Sequence, residues 1–157
     1  MTWIRRRIEG SFPIPSLTLE GLLTTPLEQL GLETDPDGDW LFRSRPYQLL
    51  GWTIQPILHC SAERYGHGMT LHCHRIKIRG LGELAGWVHA NGAVTVTSNQ
   101  EGLVVLHWLE LGVQTTGALS LMPRSLLDQM VMKGLKLSSQ RLGRAVKRQL
   151  IRALSPK

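Results

Sequence analysis

The spacing of apolar residues changes once along the chain, near Pro123. Before it, many apolar positions alternate with polar ones, the period of strands; after it they recur every three or four, the period of a helix. Trp3 to Phe12 alternates imperfectly and stops at Pro13, which predicts a first strand. Leu17, Leu19, Leu22 and Leu23 predict a short helix. TPLEQLG predicts another: Thr25 as cap, Pro26 at the first helical position, Glu28 completing a capping box and Gly31 ending it. DPDGD (Asp35 to Asp39) is a turn. Further strands are predicted over 39–45, 52–63, 69–79, 83–89, 93–98 and 103–113, with Asn91-Gly92 as a hairpin turn between the fourth and fifth of these. Pro56 cannot donate to a ladder, so its strand is an edge there or carries a bulge.

Beyond Pro123, Leu127, Val131, Leu135, Ser138, Leu142, Val146, Leu150 and Leu154 mark one face of an amphipathic helix over about 124–154. Lys133, Lys136, Arg144, Lys147 and Arg148 lie mostly off that face. The expected architecture is α+β, a single domain over 1–157: one strand, two short helices, about six more antiparallel strands and one long C-terminal helix. This order is similar to the helix-grip fold of START-like proteins, in which a curved antiparallel sheet of about seven strands wraps the helix. A cavity between the two would be lined by Ile76, Ile78, Leu109, Leu111, Leu135 and Leu142, with Leu106 turned outward. A solid core requires the same stripes, and periodicity does not separate the two.

LHCHRIKIRG (Leu71 to Gly80) carries the densest candidate chemistry. Unbroken alternation puts His72, His74, Ile76 and Ile78 on one face, taken as inward, and Cys73, Arg75, Lys77 and Arg79 on the other. A regular hairpin centred on His67 would pair Cys60 with His74 and Ala62 with His72. Cys60, His72, His74 and, from another strand, His107 would then form a polar patch able to orient an organic ligand. A metal or haem on these four is the alternative; bonding to backbone or water as ordinary core residues is the bland reading. Arg79 is a candidate clamp for a carboxylate or phosphate, or a plain surface cation.

Charge sharpens one part of this picture. The formal net charge is +6, yet nine Lys/Arg against the single acid Asp128 lie from Arg124 onward, making that tail +8 and the remainder −2. Such asymmetry suits an anionic membrane surface or nucleic acid, or the solvated face of a helix. No apolar run reaches the roughly 18 residues a spanning helix needs, and MTWIRRRIEG has no signal-peptide core, so a cytoplasmic location is expected. With only Cys60 and Cys73 there is no disulfide framework. No GxSxG, phosphate-binding glycine loop or HExxH occurs, so no catalytic residue is assigned.

FRSRPYQLLGWTIQPILHCSAE, then LHCHRIKIRG, then the basic helix after L-x-P resemble DUF1997, an uncharacterised family of cyanobacteria and plastid-bearing eukaryotes. Gln55, Pro56, Arg79 and Gly80 are the matching positions; the histidines are not part of the pattern. The resemblance implies a START-like fold and a setting near photosynthetic membranes. The leading expectation is therefore a non-enzymatic protein that binds a lipid, isoprenoid or tetrapyrrole and rests on the cytoplasmic face of thylakoid membranes through its basic helix. An assembly factor for a photosynthetic complex without ligand is the alternative. Nucleic acid is the least favoured partner, because one basic helix supplies no base readout.

Overall fold

The computed structural model describes residues 3–155, without the side chain of Ala118. Eight strands form an antiparallel sheet: β1 (Trp3–Pro15), β2 (Glu33–Thr34), β3 (Trp40–Arg43), β4 (Tyr47–Leu49), β5 (Trp52–Tyr65), β6 (Gly68–Arg79), β7 (Val88–Ser98) and β8 (Gly102–Gln114). Their order is β1-β8-β7-β6-β5-β3-β2, with β4 pairing β5 beyond the end of β3. Helix α1 (Leu19–Thr24) follows β1, and α2 (Arg124–Leu154) ends the chain.

The two short helices expected after β1 are one α-helix and one 3-10 turn. Thr18, not Thr25, provides a cap: its hydroxyl accepts from the Gly21 amide at 3.1 Å. Leu27–Leu30 is a 3-10 turn with no side-chain cap, and Thr25 Oγ1 donates back to Gly21 O instead, so the capping box does not form. Residues 82–87 are likewise 3-10 rather than strand. Asn91-Gly92 lies inside β7, which runs unbroken from 88 to 98; the Gly92 backbone packs on Trp108 O, leaving no space for a Cβ. Local turn preference yields here to pairing with β8 along the whole strand.

Pro56 sits where β5 changes partner. β3 pairs residues 57–60 of β5 and β4 pairs residues 52–54. The chain between β3 and β4 crosses at this point: Ser44 N donates to Pro56 O, and Gln55 Nε2 donates to Ser44 O at 3.1 Å. The missing proline donor is tolerated because neither β3 nor β4 pairs with Pro56 on that side, while Ile78 of β6 stands opposite it on the other. The bulge lies further on. Opposite His59 stands Arg75, but opposite Cys60 stands Cys73, so His74 is the extra residue.

The inner face of the sheet and α2 enclose the main core. Leu127, Val131, Gly134, Leu135, Ser139, Leu142, Ala145 and Leu150 are buried along the helix. The helix lies closest to β1 and β8. Arg6 on β1 ties it there through Asp128 at 2.7 Å, the tail's only acid. On the far side, β6 and β7 pair only from Gly68↔Thr97 to Cys73↔Gly92 and then part. The 80–87 segment spans the gap.

Gly80 has φ +98°, and a Cβ on it would run into the Thr53 carbonyl. Gly66, in the β5–β6 hairpin, has open space around it. Gly80→Ala should therefore cost at least about 2 kcal/mol in urea unfolding, and Gly66→Ala under about 1 kcal/mol. Equal effects would contradict the close approach.

Candidate functional site

Where β6 leaves β7, the sheet is no longer closed under α2. A cavity of about 170 Å³ occupies the space. Ile76 and Ile78 wall it from β6, Val88 and Ala90 from β7, Leu109 and Leu111 from β8, and Leu135 and Leu142 from the helix. Leu81 and Leu84 of the bridging segment close the gap between the parted strands. The wall is almost wholly apolar.

Besides Ser44 and Glu110, one group of polar residues interrupts it. Tyr47 is 6% exposed, and its hydroxyl shares a 2.8 Å hydrogen bond with Ser138 on α2. The Arg141 guanidinium lies 5.1 Å from the centre of the Tyr47 ring, one turn along the same helix. Burial pushes the Tyr47 hydroxyl above its usual value, against the opposing pull of Ser138 and Arg141. The phenol stays neutral and is available to donate. Arg141 is exposed and carries its charge at the cavity wall. The periodicity did not single out Tyr47, because three-residue β4 has no alternation to read, or Arg141, which lies off the apolar stripe of α2.

Leu50 and Trp52 also line the cavity, yet are 39% and 37% exposed. Leu50 has φ +51° and Gly51 φ +91° in the two-residue β4–β5 turn. A left-handed leucine costs about 1–2 kcal/mol, and one that is 39% exposed regains less by burial than a core leucine.

The proposed ligand-binding residues divide three ways. Ile76, Ile78, Leu109, Leu111, Leu135 and Leu142 share the cavity. Cys60 and His107 are inward but elsewhere: Cys60 lines a second, smaller cavity of about 50 Å³, and His107 packs between β1 and α2. His72, His74 and Arg79 are exposed. The expected Cys60–His74 and Ala62–His72 pairings are corrected to Cys60–Cys73 and Ala62–Leu71. The bulge at His74 resets the alternation, so Met69, Leu71 and Cys73 face in before it and Ile76 and Ile78 after it. The four residues considered for a metal or haem do not converge. In their place stand two buried thiols with sulfurs 3.1 Å apart. The hydrogen bond to Cys60, then burial, pushes the Cys73 thiol far up, so it stays protonated and is a poor nucleophile.

His107 stands over its register partner Gly10, where an added Cβ would lie 2.7 Å from the ring. Gly143 of α2 approaches from the other side, 3.5 Å from Nε2 to its ideal Cβ position. Among the described residues Nδ1 has no hydrogen-bond partner. The basic residues Lys133, Lys136, Arg144, Lys147 and Arg148 are all exposed, and Ile151, 41% exposed, lies in a shallow groove with Arg144, Lys147, Arg148 and Arg152. No helix among the described residues is long and apolar enough to cross a membrane.

Burial lowers the His107 pKa below the ordinary 6.5. The unfolded chain then binds a proton that the folded chain refuses, so stability is full above about 6.5 and falls as pH drops from there toward the folded value. His107→Leu removes that proton uptake. Urea midpoints between pH 7.5 and pH 5 should fall less in His107→Leu than in the unsubstituted chain. Parallel losses would refute the assignment.

No family model and no curated protein matches the chain. Among solved structures, the fold is similar to a conserved protein from Geobacillus kaustophilus, at 12% identity and a TM-score of 0.51, covering 95% of this chain and 97% of that one. A putative uncharacterised protein from Rhizobium leguminosarum aligns over 95% of this chain and 99% of its own, at 11% identity and a TM-score of 0.36. The first of these supports the α+β arrangement of an antiparallel sheet and a C-terminal helix.

Proposed function

We propose that the chain is a START-like, non-enzymatic protein that binds a small amphipathic molecule, its apolar body in the cavity and its polar end toward Tyr47, Ser138 and Arg141. The observation that carries this is the mainly apolar cavity between sheet and helix, with Tyr47, Ser138 and Arg141 gathered on its wall and Glu110 and Ser44 as its other polar residues. Its volume is close to the roughly 150 Å³ of an engineered cavity that admits benzene, and below the roughly 300–1,000 Å³ of drug-sized pockets. A slim acyl or prenyl chain suits it better than a tetrapyrrole. A neutral phenol and a guanidinium together favour a carboxylate or phosphate head. The titratable side chains on the wall are Tyr47, Glu110 and Arg141. Tyr47 is held neutral, and they form no nucleophile–base pair.

Displacement of anilinonaphthalene sulfonate by decanoate and by decanol tests this reading. Ala90→Trp, which fills the cavity, should abolish displacement by both. Arg141→Glu should weaken decanoate about tenfold and leave decanol nearly unchanged. Failure of both probes on a folded protein would reject the cavity as a site and move the reading to an assembly factor without ligand.

The exposed basic residues of α2 and Ile151 form the second element of the proposal: a surface that rests on anionic lipid, as the DUF1997 resemblance and its photosynthetic setting suggest. Each Lys or Arg near such a surface contributes about 1 kcal/mol. Replacing Arg144, Lys147 and Arg148 by Glu should abolish cosedimentation with phosphatidylglycerol vesicles while leaving the melting temperature within a few degrees. Unchanged cosedimentation would reject this surface.

A further inference from the structure

We infer that Asp35, Asp39 and His59 form a zinc site on the sheet face turned away from α2, with His74 holding Asp39 in place. The site is separate from the cavity and does not depend on the ligand proposal. Asp35 and Asp39 close the β2–β3 connection, where Asp35 N donates to Asp39 O at 2.8 Å. His59 alternates with the inward Leu58 and Cys60, so it points outward beneath that connection. Its Nδ1 lies 3.7 Å from Asp35 Oδ2, and the two side chains are 16% and 15% exposed. One donor atom from each of Asp35, Asp39 and His59 falls within 4.8 Å of the others. His74, the extra residue of the bulge, places Nε2 3.2 Å from Asp39 Oδ2.

Three features point to an ion rather than to ion pairing alone. The donors come from two separate parts of the chain, the 35–39 turn and β5, and the supporting histidine comes from a third. The two carboxylates converge with the His59 ring, and a cation among them would relieve the repulsion between two negative charges. The donor set mixes imidazole with carboxylate, which suits zinc better than the all-oxygen shells of calcium and magnesium. Donors around a tetrahedral zinc stand roughly 3.4 Å apart, given bonds of about 2.0–2.2 Å. Side-chain rotation of about an ångström closes the cluster. The remaining position is open to water. A hydrogen bond from a second residue to a ligating carboxylate, here from His74, is the usual support of such a ligand.

The test uses the full chain stripped with a chelator and titrated with zinc chloride at pH 7.5. Calorimetry should show one equivalent bound, and saturating zinc should raise the melting temperature by about 5 °C or more. Asp39→Asn and His59→Gln should each lower affinity at least about tenfold, with His74→Gln intermediate. His72→Gln, on the same strand but outside the cluster, should leave it unchanged. Cobalt in place of zinc supplies an independent readout, a visible absorption that Asp35→Asn removes even in a variant of unaltered melting temperature. Absence of stoichiometric binding, binding that survives Asp39→Asn and His59→Gln, loss in His72→Gln, or a preference for calcium over zinc would overturn the site.

Discussion

One extra residue in β6 governs much of the molecule. Side chains of a strand alternate, so an uninterrupted β6 could place either Met69, Leu71 and Cys73 or Ile76 and Ile78 in the core, but not both. The bulge at His74 lets both groups face α2. It lies where the β6–β7 ladder ends, at Cys73↔Gly92. A bulge bends and twists its strand, and here β6 stays with β5 while β7 stays with β8. The same residue is thus linked to the space under the sheet and to the outward cluster around Asp39.

The helix completes the enclosure asymmetrically. At β1 and β8 the glycines Gly10 and Gly143 let α2 and the His107 ring approach closely. Across the sheet the helix meets β4 through Gly134, whose ideal Cβ position is 3.4 Å from Leu49. Between these contacts the apolar walls do not meet. The cavity of about 170 Å³ forgoes packing between sheet and helix that a solid core would gain. The left-handed, exposed Leu50 adds strain at the same place. Leu50 lies on the cavity wall with Tyr47 and Arg141.

The thiols and the histidines lie away from the main cavity. The two thiols face each other in the core, and the hydrogen bond to Cys60 together with burial holds the Cys73 thiol protonated. His107 is kept neutral by burial, away from the main cavity. The remaining histidine–carboxylate contacts, His59 with Asp35 and His74 with Asp39, lie on the opposite face of the sheet. The ionisable side chains at the main cavity are Tyr47, Glu110 and Arg141.

The sequence by itself determined the class of the fold: the change of period at Pro123, the alternation of β5 and β8, and the apolar stripe of α2 each report a local, repeating burial pattern. It also indicated six of the cavity residues, because Leu109, Leu111, Leu135 and Leu142 lie on long regular elements, and Ile76 and Ile78 keep their parity after the bulge. Only the tertiary structure decided the faces of His72, His74 and Cys73. A bulge inserts one residue without any composition signal, and everything before it in β6 changes sides. It likewise decided that Asn91-Gly92 continues a strand, since eleven register pairs with β8 outweigh one turn preference. Tyr47, Arg141 and the Asp35–Asp39–His59 cluster were invisible for the same reason. Each joins segments far apart in the chain, and periodicity reports only what neighbours along the chain have in common.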